Sequence, residues 1–113
     1  MKILIAEDNA PLRRLMRGLL APLTTEIFEC CDGSEALAAY SMHQPDWVLM
    51  HILMKDLDGI SATREIIAAY PEARVLIVTN YDDTDMREAA RRAGASGYVL
   101  KENLLEVKHL LTQ

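Results

Sequence analysis

Polar side chains follow four hydrophobic runs of the chain at the point where each run ends. The acids Glu7 and Asp8 follow the first run, and His51, Thr79 and Lys101 end or follow three later ones. If these runs are parallel strands, the polar residues meet at one edge of a sheet, where open α/β sheets place their binding sites. Two acids, a hydroxyl and a lysine around one hollow suggest a cation and a phosphoryl group. His51 is the member that does not match this chemistry.

The elements that would position these residues are strands that alternate with helical stretches. The hydrophobic runs predict strands at Lys2–Ala6, 25–30, Trp47–Met50, 75–78 and Gly97–Leu100. Apolar residues at helical spacing predict five helices between and after them. Asn9 is expected to cap the first helix and Ser34 the second, while the later helices are predicted over 60–70, from Asp83 or Thr84 to Gly94, and over Leu104–Leu111. Short connections between such units predict a parallel sheet with helices on both faces.

Length and composition indicate one small domain. The chain has 113 residues, of which 50% are hydrophobic, so we expect a single domain over 1–113 with a packed core. A net charge of -5 argues against a nucleic-acid surface, which needs a basic patch. No apolar stretch approaches the roughly 20 residues that span a membrane, so no membrane partner is expected. Adjacent strand residues point to opposite faces, so Cys30 and Cys31 are expected to be reduced thiols of a cytoplasmic protein.

The order of these residues resembles the receiver domain of bacterial two-component response regulators over nearly the whole chain. That family has an acidic pair after strand one, an Asp at the end of strand three, a Ser or Thr after strand four and a Lys after strand five. Glu7-Asp8, Thr79 and Lys101 match three of these places, and Tyr98 lies where the family has its switch aromatic.

Two further segments carry the resemblance. Residues 54–59, Met-Lys-Asp-Leu-Asp-Gly, are similar to the segment that usually follows the phosphoacceptor. Residues 98–104, Tyr-Val-Leu-Lys-Glu-Asn-Leu, resemble the subfamily whose receivers precede a helix-turn-helix DNA-binding domain.

The resemblance implies the fold and the partners. The fold would be flavodoxin-like α/β, a five-stranded parallel sheet of order 2-1-3-4-5 with five helices on its two faces. The function would be phosphorelay signal transduction in transcription regulation, without enzymatic activity of its own. The implied partners are a histidine kinase and a DNA-binding effector domain outside this chain, with a homodimer as a further possibility. Direct nucleic-acid binding is not implied.

The resemblance also assigns roles to the site residues. Mg²⁺ would be bound by the acidic pair, Glu7 and Asp8, and by the backbone carbonyl of Leu53. Lys101 would neutralise a phosphoryl oxygen, Thr79 would donate a hydrogen bond to another, and Tyr98 would follow Thr79 as the switch.

One departure from the family changes these expectations. The phosphoacceptor Asp falls on position 51, where this chain has His51. The substitution removes the nucleophile, one Mg²⁺ ligand and one negative charge, and imidazole suits zinc, copper or nickel better than magnesium. We therefore expect weak Mg²⁺ binding and no acyl phosphate of the family type.

Three interpretations of His51 follow. The first is a receiver that cannot be phosphorylated, and the second is a transition-metal site of His51 with Asp8 and Glu7. The third is phosphorylation on the imidazole, whose nitrogen projects to a different point than a carboxylate oxygen. A rival from another class is a metal-binding or metal-dependent phosphatase-like module that uses Glu7, Asp8 and His51.

Overall fold

Five parallel strands form one sheet, and helices cover both of its faces. The computed structural model describes residues 1–112. The strands are β1 Lys2–Ala6, β2 Glu26–Cys30, β3 Trp47–Met50, β4 Val75–Thr79 and β5 Gly97–Leu100. The helices are α1 Ala10–Leu20, α2 Ala36–His43, α3 Gly59–Ala69, α4 Thr84–Ala93 and α5 Leu104–Leu111. The strand order is β2-β1-β3-β4-β5, which confirms the expected flavodoxin-like fold.

The sheet separates two hydrophobic cores. In β1, Ile3 and Ile5 pack into one core, whereas Leu4 and Ala6 pack into the other, and all four are fully buried. A strand that is buried on both faces needs apolar side chains at every position, because successive side chains point to opposite faces. The continuous hydrophobic runs of the sequence are therefore the signature of this parallel sheet.

Strand register brings the ends of the central strands to one edge. Ala6 pairs with Met50 in the β1–β3 ladder, and Thr79 pairs with Leu100 in the β4–β5 ladder. The residues that follow these pairs leave the sheet together. The His51 amide continues the first ladder by donating to the Ala6 carbonyl at 3.0 Å.

The predicted helix caps agree with the structure except at the second helix. The Asn9 side chain caps α1 by accepting from the Leu12 amide at 2.9 Å, as predicted. The prediction that Ser34 caps the second helix was wrong, since Ser34 donates its amide to Asp32, which caps a 3₁₀ turn ahead of α2. The Asp32 carboxylate also accepts from the amides of Asp56 and Leu57, so its role depends on contacts between segments that are distant in sequence.

Element ends differ from the predicted ones by single residues. The second strand begins at Glu26 rather than at residue 25, and the third helix covers Gly59–Ala69 rather than 60–70. Asp83 caps α4, and Gly94 ends it with a positive φ of 100°, a left-handed conformation that favours glycine.

Asp58 caps α3 and offers a test of how the loop before that helix is held. Its carboxylate accepts from the Ser61 amide at 2.8 Å and from the Ser61 hydroxyl at 2.7 Å. Burial raises the pKa of Asp58, but these hydrogen bonds outweigh it and hold the pKa below its usual value of 3.8. Asp58→Ala is expected to lower the free energy of unfolding by about 1 kcal/mol in denaturant titrations at neutral pH.

The loss in Asp58→Ala is expected to depend on pH. A carboxyl group whose pKa is lowered by folding stabilises the protein above its usual pKa, and this stabilisation disappears as pH falls through the lowered value. The difference between wild type and Asp58→Ala should therefore shrink as the solution is acidified below 3.8. Asp83→Ala removes the side-chain cap of α4, in a different part of the chain. It is the control for the general effect of losing a helix cap. A difference for Asp58→Ala that stays constant on acidification would contradict this account.

Candidate functional site

A cavity of about 380 Å³ opens at the carboxyl edge of the sheet. Glu7, Asp8, His51, Leu53 and Lys101 all line it, so the structure brings these predicted residues together. The loops that follow β1, β3 and β5 supply them, as the strand register requires. Asp8 is exposed at the opening, whereas Glu7 is only 1% exposed.

A buried ion pair forms the floor of the site. The Lys101 ammonium lies 3.1 Å from Glu7 Oε1, and the Asn9 amide donates to Glu7 Oε2 at 3.2 Å. Burial raises the pKa of Glu7, as does a hydrogen bond with the Asp8 side chain, while Lys101 and the Asn9 amide oppose this rise. Both Glu7 oxygens therefore already have partners within the protein.

The His51 ring lies between the two acids without bonding either. Its Nδ1 is 3.6 Å from Glu7 Oε1, and its Nε2 is 3.9 Å from Asp8 Oδ1. Both separations exceed the range of a good hydrogen bond. Nδ1 is buried and has no hydrogen-bond partner among residues 1–112.

Electrostatics favour a neutral His51 ring. Burial lowers the pKa of His51 below its usual value of 6.5, and the nearby charge of Lys101 lowers it further. A hydrogen bond with the Val78 backbone and the Asp8 carboxylate act in the opposite direction without reversing the shift. The ring therefore offers a neutral nitrogen lone pair at the position where a carboxylate would offer negatively charged oxygen.

Thr79 and Tyr98 lie beside the cavity rather than in its lining. Thr79 is fully buried, and its hydroxyl accepts from the Tyr81 amide at 3.2 Å. The Tyr98 hydroxyl donates to the Tyr81 carbonyl at 2.5 Å, and the Arg87 guanidinium lies 4.6 Å from the Tyr98 ring centroid. Tyr81 thus links the two predicted switch positions through its backbone.

Sequence reasoning missed several residues that shape the site. Asn80 and Tyr81 line the cavity. Arg13 donates from Nη1 to the Glu7 carbonyl at 2.6 Å and from Nε to the Glu29 carboxylate at 2.9 Å. Asn80 and Tyr81 directly follow Thr79, so their position after β4 was a usable signal. Arg13 lies on a helix face, where nothing in the sequence separates it from a solvated charge.

Asp32 holds the loop between β3 and α3, and sequence reasoning missed this role as well. Its carboxylate accepts from the amides of Asp56 at 2.9 Å, Leu57 at 3.1 Å and Ser34 at 2.9 Å. The Asp56 amide, followed by the Ser34 amide, holds the pKa of Asp32 well below its ordinary value. These bonds tie the end of β2 to the loop that leaves His51.

Comparison with known proteins gives consistent matches. The family model described as "Response regulator receiver domain" matches residues 3–111. The chain is 34% identical over 103 residues to the transcriptional regulatory protein DegU of Brevibacillus brevis, covering 89% of this chain and 44% of that protein. It is 39% identical over 101 residues to the transcriptional regulatory protein PdtaR of Mycobacterium tuberculosis, covering 88% and 49%.

A solved structure matches over almost the whole chain. The two-component response regulator of the LuxR family from Aurantimonas sp. SI85-9A1 superposes with a TM-score of 0.91 at 31% identity, covering 98% of this chain and 81% of that one. The chain spans about half the length of the two curated relatives named above. Among residues 1–112, no helix is both long and apolar enough to cross a bilayer.

Proposed function

This chain belongs to the response regulator receiver family, and we propose that it is a receiver whose phosphoacceptor position is occupied by His51 and which takes up no phosphoryl group. It resembles the receivers that precede helix-turn-helix DNA-binding domains, in keeping with its LuxR-family structural neighbours. Its role would be signal transduction through surfaces that bind other domains.

The observation behind this proposal is the imidazole at the end of β3. The cavity gathers Glu7, Asp8 and Lys101 around position 51, as the family arrangement requires. At that position the ring offers no carboxylate oxygen to attack phosphorus. Phosphoryl transfer depends on the placement of the attacking and leaving atoms, so a displaced nitrogen does not substitute for the missing oxygen.

The donor set does not fit Mg²⁺, which receiver domains generally bind at their acidic residues. Mg²⁺ requires oxygen ligands in near-octahedral geometry. Here the cluster is Glu7, Asp8 and His51, and both oxygens of Glu7 already accept bonds from Lys101 and Asn9. Asp8 and the Leu53 carbonyl would remain as oxygen donors, which supports the expectation of weak Mg²⁺ binding.

The switch positions would then be set without phosphorylation. Receiver signalling is a shift between two conformations and needs a ligand that prefers one of them. We assign Thr79, Lys101 and Tyr98 to the switch. Tyr98 is held by the Tyr81 carbonyl and by Arg87, which supports one fixed state unless a partner protein changes it.

Partners and context follow from the family. We propose a histidine kinase and a DNA-binding effector domain as partners, with residues 1–113 as a single receiver domain and with self-association as a further mode. The two cysteines are free thiols, which fits the reducing cytoplasm. Receivers are typically non-enzymatic signalling proteins, and the matches to receivers do not favour a metal-dependent phosphatase.

The test is phosphorylation by a small-molecule phosphodonor in the presence of Mg²⁺, read by intact-protein mass spectrometry. Wild type is expected to gain no phosphoryl mass, and His51→Asp is expected to gain one group, because the variant restores the carboxylate. His51→Asn is the control, because asparagine has nearly the same shape as aspartate but no nucleophilic carboxylate. This variant should stay unlabelled. A phosphorylated wild type, or an unlabelled His51→Asp that binds Mg²⁺, would contradict the proposal.

A further inference from the structure

We propose that His51 is a positioning residue whose ring ties the end of β4 to the end of β3. By this contact it fixes the loop after β4 and the switch residue Tyr98 in one conformation, with no bound ligand. The inference rests on the proposed function, in which this receiver takes up no phosphoryl group, and it names what sets the conformation instead.

The His51 ring donates a hydrogen bond to the backbone of Val78. This bond favours a protonated ring nitrogen, so the ring is the donor and the Val78 carbonyl is the acceptor. The buried Nδ1 has no hydrogen-bond partner among residues 1–112. The donor is therefore Nε2, and Nδ1 carries the lone pair of the neutral ring.

Strand geometry explains why the Val78 carbonyl is open to a side chain. Carbonyls two residues apart along a strand point to the same neighbouring strand. The Arg74 carbonyl accepts from the Val48 amide of β3 at 2.9 Å, and Val78 is four residues further along, so its carbonyl also points toward β3. The β3–β4 ladder ends one residue before Val78. The ring thus bonds an acceptor that lies beyond the last strand pair.

The donor is held from the side away from β4. The His51 amide donates to the Ala6 carbonyl at 3.0 Å, and the His51 side chain is only 10% exposed. The next residue, Ile52, is bonded through its carbonyl to the Gly59 amide at 2.7 Å. The ring is therefore a fixed donor, and the end of β4, which leads into a loop, is the part that it positions.

Two hydrogen bonds connect the end of β4 to the switch residue. Thr79, the residue after Val78, is fully buried, and its hydroxyl accepts from the Tyr81 amide at 3.2 Å. The Tyr98 hydroxyl donates to the Tyr81 carbonyl at 2.5 Å. If the end of β4 moved away from the ring, these contacts would be disrupted as far as Tyr98.

One hydrogen bond is enough to bias such an equilibrium. A bond of ordinary net strength changes the ratio of two conformations about fivefold. The bond to the Val78 carbonyl belongs to the conformation described here, and it weakens as its length grows beyond about 3.2 Å. A contact that differs between two conformations shifts their populations. His51 therefore supplies from within the chain the preference that a ligand would otherwise supply.

The experiment is amide hydrogen exchange, measured by NMR on the 113-residue chain at neutral pH without Mg²⁺ or a phosphodonor. His51→Met removes the donor, and His51→Gln is the matched control, because glutamine has nearly the shape of methionine but carries an N–H donor. We expect exchange at the Tyr81 amide to become about fivefold faster in His51→Met and to change by less than about twofold in His51→Gln. The Leu12 amide, which Asn9 caps at the start of α1, is the reference and should not change.

The loop and the switch residue give a second readout. Relaxation-dispersion NMR detects exchange between conformations on the microsecond-to-millisecond timescale. His51→Met should show such exchange at the Tyr81 and Tyr98 amides, whereas wild type and His51→Gln should show none. Circular dichroism checks that each variant is folded. If the two variants behaved alike, the side chain would act through packing alone and the inference would be wrong.

A measurement on wild type does not depend on the folding of any variant. Nitrogen-15 NMR of the imidazole rings should place the proton of the neutral His51 ring on Nε2, and a proton on Nδ1 would overturn the inference. The outcome is separate from that of the phosphodonor test. A proton on Nδ1 in a chain that stays unlabelled would contradict this inference alone, whereas a labelled wild type with the proton on Nε2 would contradict the proposed function.

Discussion

Gly59→Ala is expected to lower the free energy of unfolding by about 3 kcal/mol or more, because forced overpacking against backbone is among the costliest single changes. A Cβ at residue 59 would lie 1.8 Å from the His51 carbonyl oxygen and 2.8 Å from Met50 Cγ. The His51 carbonyl belongs to the strand end that carries the site. This carbonyl cannot move away without disturbing the pairing of β1 with β3, because the His51 amide donates to the Ala6 carbonyl at 3.0 Å.

The close approach at Gly59 also connects α3 to the functional loop. The Gly59 amide donates to the Ile52 carbonyl at 2.7 Å, so the start of the helix and the residue after His51 are bonded directly. Any side chain at residue 59 would push these segments apart. We therefore expect Gly59→Ala to broaden or shift the His51 NMR signals as well as to reduce stability in urea titrations.

Gly18→Ala is the matched control. Gly18 is exposed within α1, and a Cβ there would meet no atom within 4 Å. Alanine at an exposed helix position is favoured over glycine by about 1 kcal/mol, so this variant should be more stable than wild type. If Gly59→Ala lost no more stability than an ordinary surface substitution, the packing of α3 against His51 would be wrong.

The fold was largely predictable because each element has a strong local pattern. The β1 run of Ile3 to Ala6 is apolar at every position, which only a strand buried on both faces or a buried helix explains, and its length selects the strand. The caps at Asn9 and Asp83 have local partners two or three residues away. Parallel strands then placed Glu7 and His51 at one edge without further information.

Asp32, one of the residues that sequence reasoning missed, has partners far along the chain. Asp32 bonds the amides of Asp56 and Leu57, which are 24 and 25 residues away. The Asp-Gly-Ser turn signals a bend but cannot reveal such partners, so the local pattern favours Ser34 as the cap. Likewise, the closeness of Gly59 to His51 depends on how α3 docks on the sheet. Long-range geometry of this kind is set by packing rather than by local pattern.

Lys101→Met is expected to cost about 3 kcal/mol, the size seen when one partner of a buried ion pair is removed. The Glu7 side chain is 2% exposed and that of Lys101 is 14% exposed, so solvent replaces little of the lost attraction. Methionine keeps most of the length and apolar volume of lysine. The loss therefore reports the charge left unpaired on Glu7, and urea titrations measure it directly. Lys55→Met, at an exposed loop position, is the control and should change stability by less than about 0.5 kcal/mol.

The double variant, Lys101→Met with Glu7→Gln, shows whether Lys101 stabilises the site through its charge or through its packing. If the cost of Lys101→Met comes from the unpaired carboxylate, then Glu7→Gln in the same chain should recover a large part of it, since glutamine carries no charge into the buried position. The coupling energy from the full cycle should fall at about 1–3 kcal/mol, the range for groups in direct contact. Additive losses would mean that Lys101 stabilises the site by packing alone. In that case Glu7 would not depend on the ammonium, and the ion pair would contribute no more than an exposed one does.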